Sequence, residues 1–160
     1  ANAVWCLDRE YYILSHRNHS LRTSYTMNKM MKILLIDDNH DTLDLLEVLL
    51  YKDFEIITAL NGFDGLKRAE EEIPDLIITD IMMPVMDGIR FFNSLKKMEK
   101  TCKIPVIAIT SFVKKITRKS LINIGFNGVI SKPIDRETIL DTVTKVLSIH
   151  TATENSSENA

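Results

Sequence analysis

The sequence has little cysteine, no long apolar run and no excess of charge of one sign. Cys6 and Cys102 stand far apart among 160 residues, which excludes a disulfide-rich secreted scaffold and a cysteine-built zinc site, and is typical of the reducing cytoplasm. No apolar stretch approaches the length of a membrane span. The formal net charge of -2 gives no overall attraction to nucleic acid or to an anionic membrane. The length suits one compact domain.

The two ends of the chain differ from the middle. Residues 1–30 show no sustained helical or strand period and no apolar core of a signal peptide. We predict an N-terminal extension here, disordered or not native, with translation starting at a methionine within residues 27–31; a short regulatory or docking arm is the alternative. Residues 151–160 are polar and lack an apolar anchor, which predicts a disordered tail. The folded domain is therefore expected over residues 31–150.

Five short apolar runs alternate with five helical patterns in the middle of the chain. The runs are rich in Ile and Val without polar alternation, which is typical of strands buried on both faces of a sheet. Such repeated strand–helix order predicts an α/β fold, a doubly wound parallel sheet with helices on both faces. We expect strands at residues 32–36, 55–59, 76–79, 105–109 and 128–131, and helices at residues 42–51, 63–72, 89–99, 113–124 and 138–149.

Two of the predicted helices have candidate capping residues. The pattern over residues 113–124 is mixed, and Thr117 is placed to cap a helix that starts late. Asp135 stands just after Pro133, where the N-cap of the last helix belongs. For the Asp87-Gly88 pair we predict ordinary turn chemistry.

Polar side chains stand where four of the predicted strands end. Asp37 and Asp38 follow the first strand, Asp80 ends the third, Thr110 ends the fourth and Lys132 ends the fifth. The carboxyl ends of parallel strands lie at one edge of the sheet, which is where such sheets bind ligands. We therefore expect these side chains to meet in one site.

The types of side chain in this predicted site favour phosphoryl chemistry. Three converging carboxylates would repel one another and raise their pKa values, and a hard divalent cation removes that conflict. Oxygen ligands without nearby Cys or His favour Mg²⁺, or Mn²⁺, over zinc. A cation, the Lys132 ammonium and the Thr110 hydroxyl together would bind a phosphoryl group, and one carboxylate could be the nucleophile that forms an acyl phosphate. Each residue alone has a commoner explanation as a turn, cap or strand residue, so the prediction depends on their joint occurrence.

The chain resembles the receiver domain of two-component response regulators in four segments: KILLIDDN, DLIITDIMMPVMDG, IPVIAITS and GFNGVISKPID. The resemblance covers roughly residues 31–149 and is nearest to stand-alone, phosphorelay and hybrid-kinase receivers. It implies a flavodoxin-like, CheY-like five-stranded sheet in the order 2-1-3-4-5. It also implies a signalling phosphoacceptor rather than an enzyme, with a sensor histidine kinase or a histidine phosphotransfer protein as donor and an unknown protein target. The sequence itself has no helix-turn-helix segment, no strong basic face and no long apolar run, so we expect no direct contact with DNA or a membrane.

The resemblance further implies a role for each residue of the predicted site. Asp80 would accept the phosphoryl group from a phosphohistidine of the partner. Asp37 and Asp38 would hold Mg²⁺ together with Asp80 and the backbone carbonyl of Met82.

The switch residues follow from the same resemblance. Thr110 would move to bond the phosphoryl oxygen, and Lys132 would pair with the phosphoryl group. The bond between Lys132 and Pro133 is usually cis in the family. Val129 stands where the family usually has an aromatic residue, so the usual aromatic readout is in doubt, and sheet packing is the simpler expectation for this side chain.

Several other positions carry expectations with open alternatives. By the same resemblance, Met82 and Phe112 stand at the two positions that, in receiver domains, tune water attack on the acyl phosphate. Both are apolar here, which predicts slow self-dephosphorylation; the alternative is that they only cap the edge of the pocket. A basic cluster around the fourth helix is either a solvated face or a docking surface for an acidic partner; it contains Lys114, Lys115, Arg118 and Lys119.

Three other functions are compatible with the same fold. A flavin carrier would need a hydroxyl- and glycine-rich phosphate loop where Asp37 and Asp38 stand. A metal-dependent phosphatase would need an acid–base carboxylate two residues beyond its nucleophile, where Met82 stands. A receiver-fold binding module that works without phosphorylation is not excluded by any residue, although the intact acceptor set argues against it.

Overall fold

The computed structural model describes residues 30–111 and 117–157. The predictions for residues 1–29 and for Phe112, Lys114 and Lys115 lie outside these residues. The described chain alternates strand and helix: β1 Lys32–Ile36, α1 His40–Leu50, β2 Glu55–Ala59, α2 Gly62–Glu72, β3 Leu76–Asp80, α3 Gly88–Leu95, β4 Val106–Thr110, α4 Arg118–Ile124, β5 Gly128–Ser131 and α5 Arg136–Ser157.

The strands form one parallel sheet in the order β2-β1-β3-β4-β5, which confirms the predicted fold. Its central strand is β3, flanked by β1 and β4. The last residue of β3, Asp80, is in register with Ile109 of β4, while Thr110 is in register with Ser131 of β5. The carboxyl ends of β1, β3, β4 and β5 therefore lie side by side at one edge of the sheet.

Side chains of the central strands alternate between two apolar cores, one on each face of the sheet. Leu34 and Ile36 of β1 pack in the core that contains Phe91 of α3, whereas Ile33 and Leu35 pack in the other core, which the helices α1 and α5 cover. Both faces of β1 are thus buried, which explains its uninterrupted apolar run. Each fully buried Leu or Ile stabilises the fold by about 1.5–3 kcal/mol.

Strand β2 differs from the prediction of strands buried on both faces. Its residues Ile56 and Ile57 are only half-buried, and Glu55 is exposed. The reason is its place in the sheet: β2 pairs with β1 alone and forms one edge. An apolar run predicts a strand but does not show whether that strand is central.

Helix α3 is shorter than predicted and ends at Leu95 instead of residue 99. The buried Thr101 hydroxyl donates a hydrogen bond to the Leu95 carbonyl at 2.9 Å, and Lys96 Nζ donates to the carbonyls of Cys102 and Ile104. These donors take backbone carbonyls at the end of the helix and in the following turn, so the chain leaves the helical path here.

Both predicted capping residues are confirmed. Thr117 accepts a hydrogen bond from the Ser120 amide, and α4 starts late, at Arg118. Asp135 accepts from the Thr138 amide at 2.8 Å, and this bond lowers the pKa of the Asp135 carboxyl.

Helix α5 runs to Ser157 and thus extends past residue 149, where the last helix is predicted to end, into the segment predicted as a tail. Buried apolar packing on this helix ends at Leu147, but propagating an existing helix costs little because each added residue gains a backbone hydrogen bond. The Thr151 hydroxyl also donates to the Leu147 carbonyl at 3.1 Å. None of the helices in the described part of the chain combines the length and hydropathy needed to cross a bilayer.

Removing the Thr101 hydroxyl is expected to destabilise the fold. The Thr101→Val substitution keeps the shape but leaves the Leu95 carbonyl with the Met98 amide, at 3.2 Å, as its remaining described donor, so we expect the free energy of unfolding to fall by about 1 kcal/mol. Urea unfolding followed by circular dichroism measures this loss. The control is Thr144→Val on the exposed face of α5, where the change should be close to zero; equal losses in the two variants would contradict the prediction.

Candidate functional site

A cleft of about 410 Å³ opens at the carboxyl edge of the sheet. The end of β3, the segments that follow β1, β3, β4 and β5, and the first turn of α1 supply its walls. The structure thus brings together in one cleft most of the side chains that the sequence places at the strand ends. The lining residues are Asp37, Asp38, Asn39, Thr42, Asp80, Met82, Ser111 and Lys132.

The centre of the cleft is one ammonium group between two buried carboxylates. Lys132 Nζ lies 2.7 Å from Asp80 Oδ1 and 3.1 Å from Asp37 Oδ2. Asp37 is only 2% exposed and Asp80 only 4%. Buried charges of one sign are costly unless they are paired, so Lys132 is what permits the two acids to share this space.

Backbone amides hold the other oxygen of each buried acid. Asp37 Oδ1 accepts a hydrogen bond from the Asn39 amide at 2.8 Å, and Asp80 Oδ2 accepts from the Met82 amide at 2.6 Å. Each carboxylate is therefore fixed at both oxygens by charge-assisted hydrogen bonds. Met82 thus contacts Asp80 through its backbone amide, whereas the prediction for this residue concerned its carbonyl as a ligand of Mg²⁺.

Asn39 is a site residue that the sequence analysis did not assign a role. Its side chain caps α1 by accepting from the amides of Asp41 and Thr42, while its own amide holds Asp37. An Asn directly before a helical pattern is a known N-cap signal, so the capping role could have been found from sequence. Its contact with the Asp37 carboxylate could not, because it depends on the conformation of the loop.

Burial and pairing shift the pKa values of two site residues. Burial raises the pKa of Asp37; the Asn39 amide and Lys132 act against this shift, and the charge of Asp80 adds only a minor increase. The predicted repulsion between the acids is thus a secondary cause. For Lys132, burial lowers the pKa, but its hydrogen bonds and charge interactions with Asp80 and Asp37 outweigh burial and raise it overall. The ammonium therefore stays charged at neutral pH.

Asp38 and Thr110 are not part of the ion-paired centre. Asp38 lines the cleft but is exposed. Thr110 is fully buried, and its hydroxyl donates to the Ser111 carbonyl at 3.2 Å, so Ser111 and not Thr110 lines the cleft. The Thr110 carbonyl accepts from the Lys132 amide at 3.0 Å, which ties the ends of β4 and β5 together.

The segment after Asp80 requires a glycine at position 88. A Cβ at Gly88 would overlap the carbonyl oxygen of Asp80, so only glycine lets α3 start this close to the end of β3. Asp87 caps α3 by accepting from the Arg90 amide at 2.8 Å, a helix cap where the sequence predicted a turn. The bond between Lys132 and Pro133 is cis, as predicted.

The acids of the cleft have the right chemistry for a hard cation, but they are not gathered around one point. In residues 30–111 and 117–157, no three His, Cys, Asp or Glu side chains form a ready-made ligand set. Lys132 lies between Asp37 and Asp80, and Asp38 faces solvent. The donor atoms available in the cleft are nonetheless carboxylate oxygens, the ligands that Mg²⁺ prefers.

The fold and the cleft together define a flavodoxin-like phosphoacceptor domain, with a buried aspartate paired to a lysine at the sheet edge. The chain belongs to the response regulator receiver domain family, which matches residues 33–144. Phosphoacceptor signalling in two-component systems is the role of this family and of this chain. Receivers of this family generally use Mg²⁺ and interact with histidine kinases and downstream targets.

Known relatives and solved structures agree with this family. The chain is 33% identical to the protein PilH of Pseudomonas aeruginosa over 74% of this chain and 99% of PilH. It is 32% identical to the chemotaxis protein CheY of Halobacterium salinarum, over 73% of this chain and 97% of that protein. Among solved structures, a response regulator from Desulfuromonas acetoxidans superimposes with a TM-score of 0.68 at 32% identity, covering 74% of this chain and 98% of that one.

Removing the Lys132 ammonium is expected to destabilise the domain at neutral pH. In Lys132→Met, two buried carboxylates lose their cation, and we expect a loss of about 2 kcal/mol in the free energy of unfolding at pH 7 with a chelator present. The loss should shrink as the pH falls toward 5. The reason is that the folded-state pKa of Asp37, already raised, rises further without Lys132, and a raised acid pKa favours the folded state at lower pH.

Urea unfolding of the wild type and Lys132→Met across this pH range measures both effects. The control is Lys145→Met, which removes the same charge from an exposed position on α5 and should leave the stability unchanged. If the loss of stability in Lys132→Met stays constant or grows toward low pH, the stabilisation by Lys132 does not come from its ion pairs with Asp37 and Asp80.

Proposed function

We propose that Asp80 is the phosphoacceptor and that it takes the phosphoryl group from a phosphohistidine of a sensor kinase or a histidine phosphotransfer protein. The observation that carries this proposal is the buried Asp80 carboxylate, 2.7 Å from the Lys132 ammonium, in a cleft with two further acids. Its place on the central strand supports the choice of Asp80 over Asp37. The acids of β1 lie on one side of β3, and the Thr110 hydroxyl of β4 lies on the other.

In the proposed transfer, a carboxylate oxygen of Asp80 attacks phosphorus and forms a P–O bond. The P–N bond to the donor imidazole breaks, and the imidazole nitrogen keeps the electron pair. Lys132, already beside Asp80, then neutralises part of the charge on the acyl phosphate. Such a reaction needs positioning and charge neutralisation more than covalent help from the protein. The Met82 amide supports positioning by fixing the second carboxylate oxygen.

Asp37, Asp38, Asp80 and the backbone carbonyl of Met82 would hold Mg²⁺, or Mn²⁺, in this proposal. When bound, the cation neutralises charge on the phosphoryl oxygens. Asp37 is held by the Asn39 amide and therefore keeps its place if Lys132 turns from it.

The proposed output is a change of conformation that a protein partner reads, or onward transfer of the phosphoryl group. In the structure the Thr110 hydroxyl bonds the Ser111 carbonyl, so it must turn to reach a phosphoryl oxygen. The target is a protein and not DNA, and the chemistry that the protein assists is its own Mg²⁺-dependent phosphorylation and its slow dephosphorylation. We place this action in the cytoplasm, a reducing compartment with which the low cysteine content of the sequence agrees.

Asp80→Asn is expected to abolish phosphorylation by a small phosphodonor. The wild type incubated with acetyl phosphate and Mg²⁺ should gain the mass of one phosphoryl group, because the carboxylate that attacks phosphorus is present. The variant keeps the shape of the side chain but lacks this nucleophile. Intact-mass spectrometry reads the result directly, and EDTA should abolish the adduct in the wild type.

The control is Asp44→Asn, which removes an exposed acid from α1 outside the cleft and should leave the adduct intact. An adduct that persists in Asp80→Asn would assign the acceptor to another residue. If the wild type forms none with acetyl phosphate or with a phosphorylated kinase or phosphotransfer protein, the chain is a binding module that works without phosphorylation.

Met82 is expected to slow the loss of the phosphoryl group. Its side chain is 57% exposed on the segment directly after the acceptor strand, where it can exclude water from the acyl phosphate. Met82→Asn offers hydrogen bonds to an attacking water, so we expect its dephosphorylation rate constant to rise several-fold. Decay of the phosphorylated mass after removal of the donor measures this rate. Faster decay in the wild type than in the variant would contradict the prediction, and Val85→Asn, in the same segment, is the control.

A further inference from the structure

The start of α4 is tied to β5 by one side chain. Arg118, the first residue of this helix, donates a hydrogen bond from Nη1 to the backbone carbonyl of Val129 at 2.6 Å. Such a short bond from a guanidinium is of the strong, charge-assisted kind. Apolar packing supplies the rest of the attachment, since the buried Leu121 of α4 and Val129 of β5 belong to the same core.

This tie lies on the opposite side of β4 from the acceptor. Strand β4 stands between β3, which carries Asp80, and β5, which carries Val129. Thr110 ends β4, and α4 is the next described element along the chain. If Thr110 moves toward Asp80, it moves toward β3 and hence away from β5. If α4 follows this movement, its first residue is drawn away from the carbonyl to which Arg118 donates.

We propose that Arg118 is a positioning residue that holds α4 against β5 in the unphosphorylated protein and thereby opposes the switch. The proposal rests on the proposed function, in which a phosphoryl group on Asp80 recruits Thr110. The Arg118 hydrogen bond is a polar link between α4 and β5 that uses the backbone carbonyl of Val129. The apolar side chain of Val129 cannot form such a link itself. Because only the unphosphorylated arrangement gains from the bond, losing it shifts the equilibrium toward the phosphorylated arrangement.

The test measures the affinity of the protein for beryllofluoride, a stable mimic of the phosphoryl group, in the presence of Mg²⁺. Arg118→Met removes the donor but keeps an apolar stem, and we expect its dissociation constant to be about three- to tenfold lower than that of the wild type, as for one hydrogen bond. Arg118→Lys, which keeps a donor, should fall between the two. Lys119→Met removes the same charge from the adjacent exposed residue and should match the wild type.

The outcomes separate this inference from the proposed function. A merely structural contact would lower the stability of both arrangements, seen in urea unfolding, and leave the dissociation constant unchanged; equal or weaker binding by Arg118→Met than by Lys119→Met therefore overturns the inference alone. Absence of beryllofluoride binding by the wild type overturns the proposed function, and the inference with it. Tighter binding by Arg118→Met and a return toward the wild-type value in Arg118→Lys support it.

Discussion

The site depends on a single constraint, that two buried carboxylates share one ammonium group. Asp37 and Asp80 are both deeply buried, and burying two carboxylates side by side is costly without a cation; Lys132 supplies that cation from a position 95 residues from Asp37 in the chain. The same ion pairs raise the pKa of Lys132, so its ammonium group stays charged beside the two acids. A cation or a phosphoryl group that enters the cleft must therefore replace some of the ion pairs between Lys132 and the two acids.

The parallel order of the strands is what places the carboxyl ends of β1, β3 and β5 at the same edge of the sheet, where the site lies. In an antiparallel sheet the ends of neighbouring strands would point to opposite edges, and residues 37, 80 and 132 would not meet. Burial on both faces fixes the register of β1 and β3, because a one-residue slip would turn Ile and Leu side chains to the wrong core. Apolar packing thus determines where the polar chemistry stands, with an accuracy that no contact within the cleft provides by itself.

Much of this architecture could be predicted from sequence, and the failures have physical causes. The strand ends were found because buried strands have continuous apolar runs, and the first polar residue after each run falls at the sheet edge. The partial exposure of β2 and the C-terminal extension of α5 were not predicted. The reason is that the edge position of a strand and the propagation of a helix leave no local pattern in the apolar residues. The Asn39 amide and the Arg118 bond were missed because they use backbone atoms, which every residue has.

A domain built this way can switch only if its two arrangements are close in free energy. A phosphoryl group shifts the equilibrium by no more than its difference in affinity between the two arrangements, so a resting arrangement held too strongly would never yield. In the structure the Thr110 hydroxyl donates to the Ser111 carbonyl at 3.2 Å, a neutral hydrogen bond that is weaker than a charge-assisted one. The stronger restraint lies farther away, at the charged bond between Arg118 and Val129. Separating the weak bond at the site from the strong bond at α4 lets the acceptor respond while α4 stays against β5 until the phosphoryl group is in place.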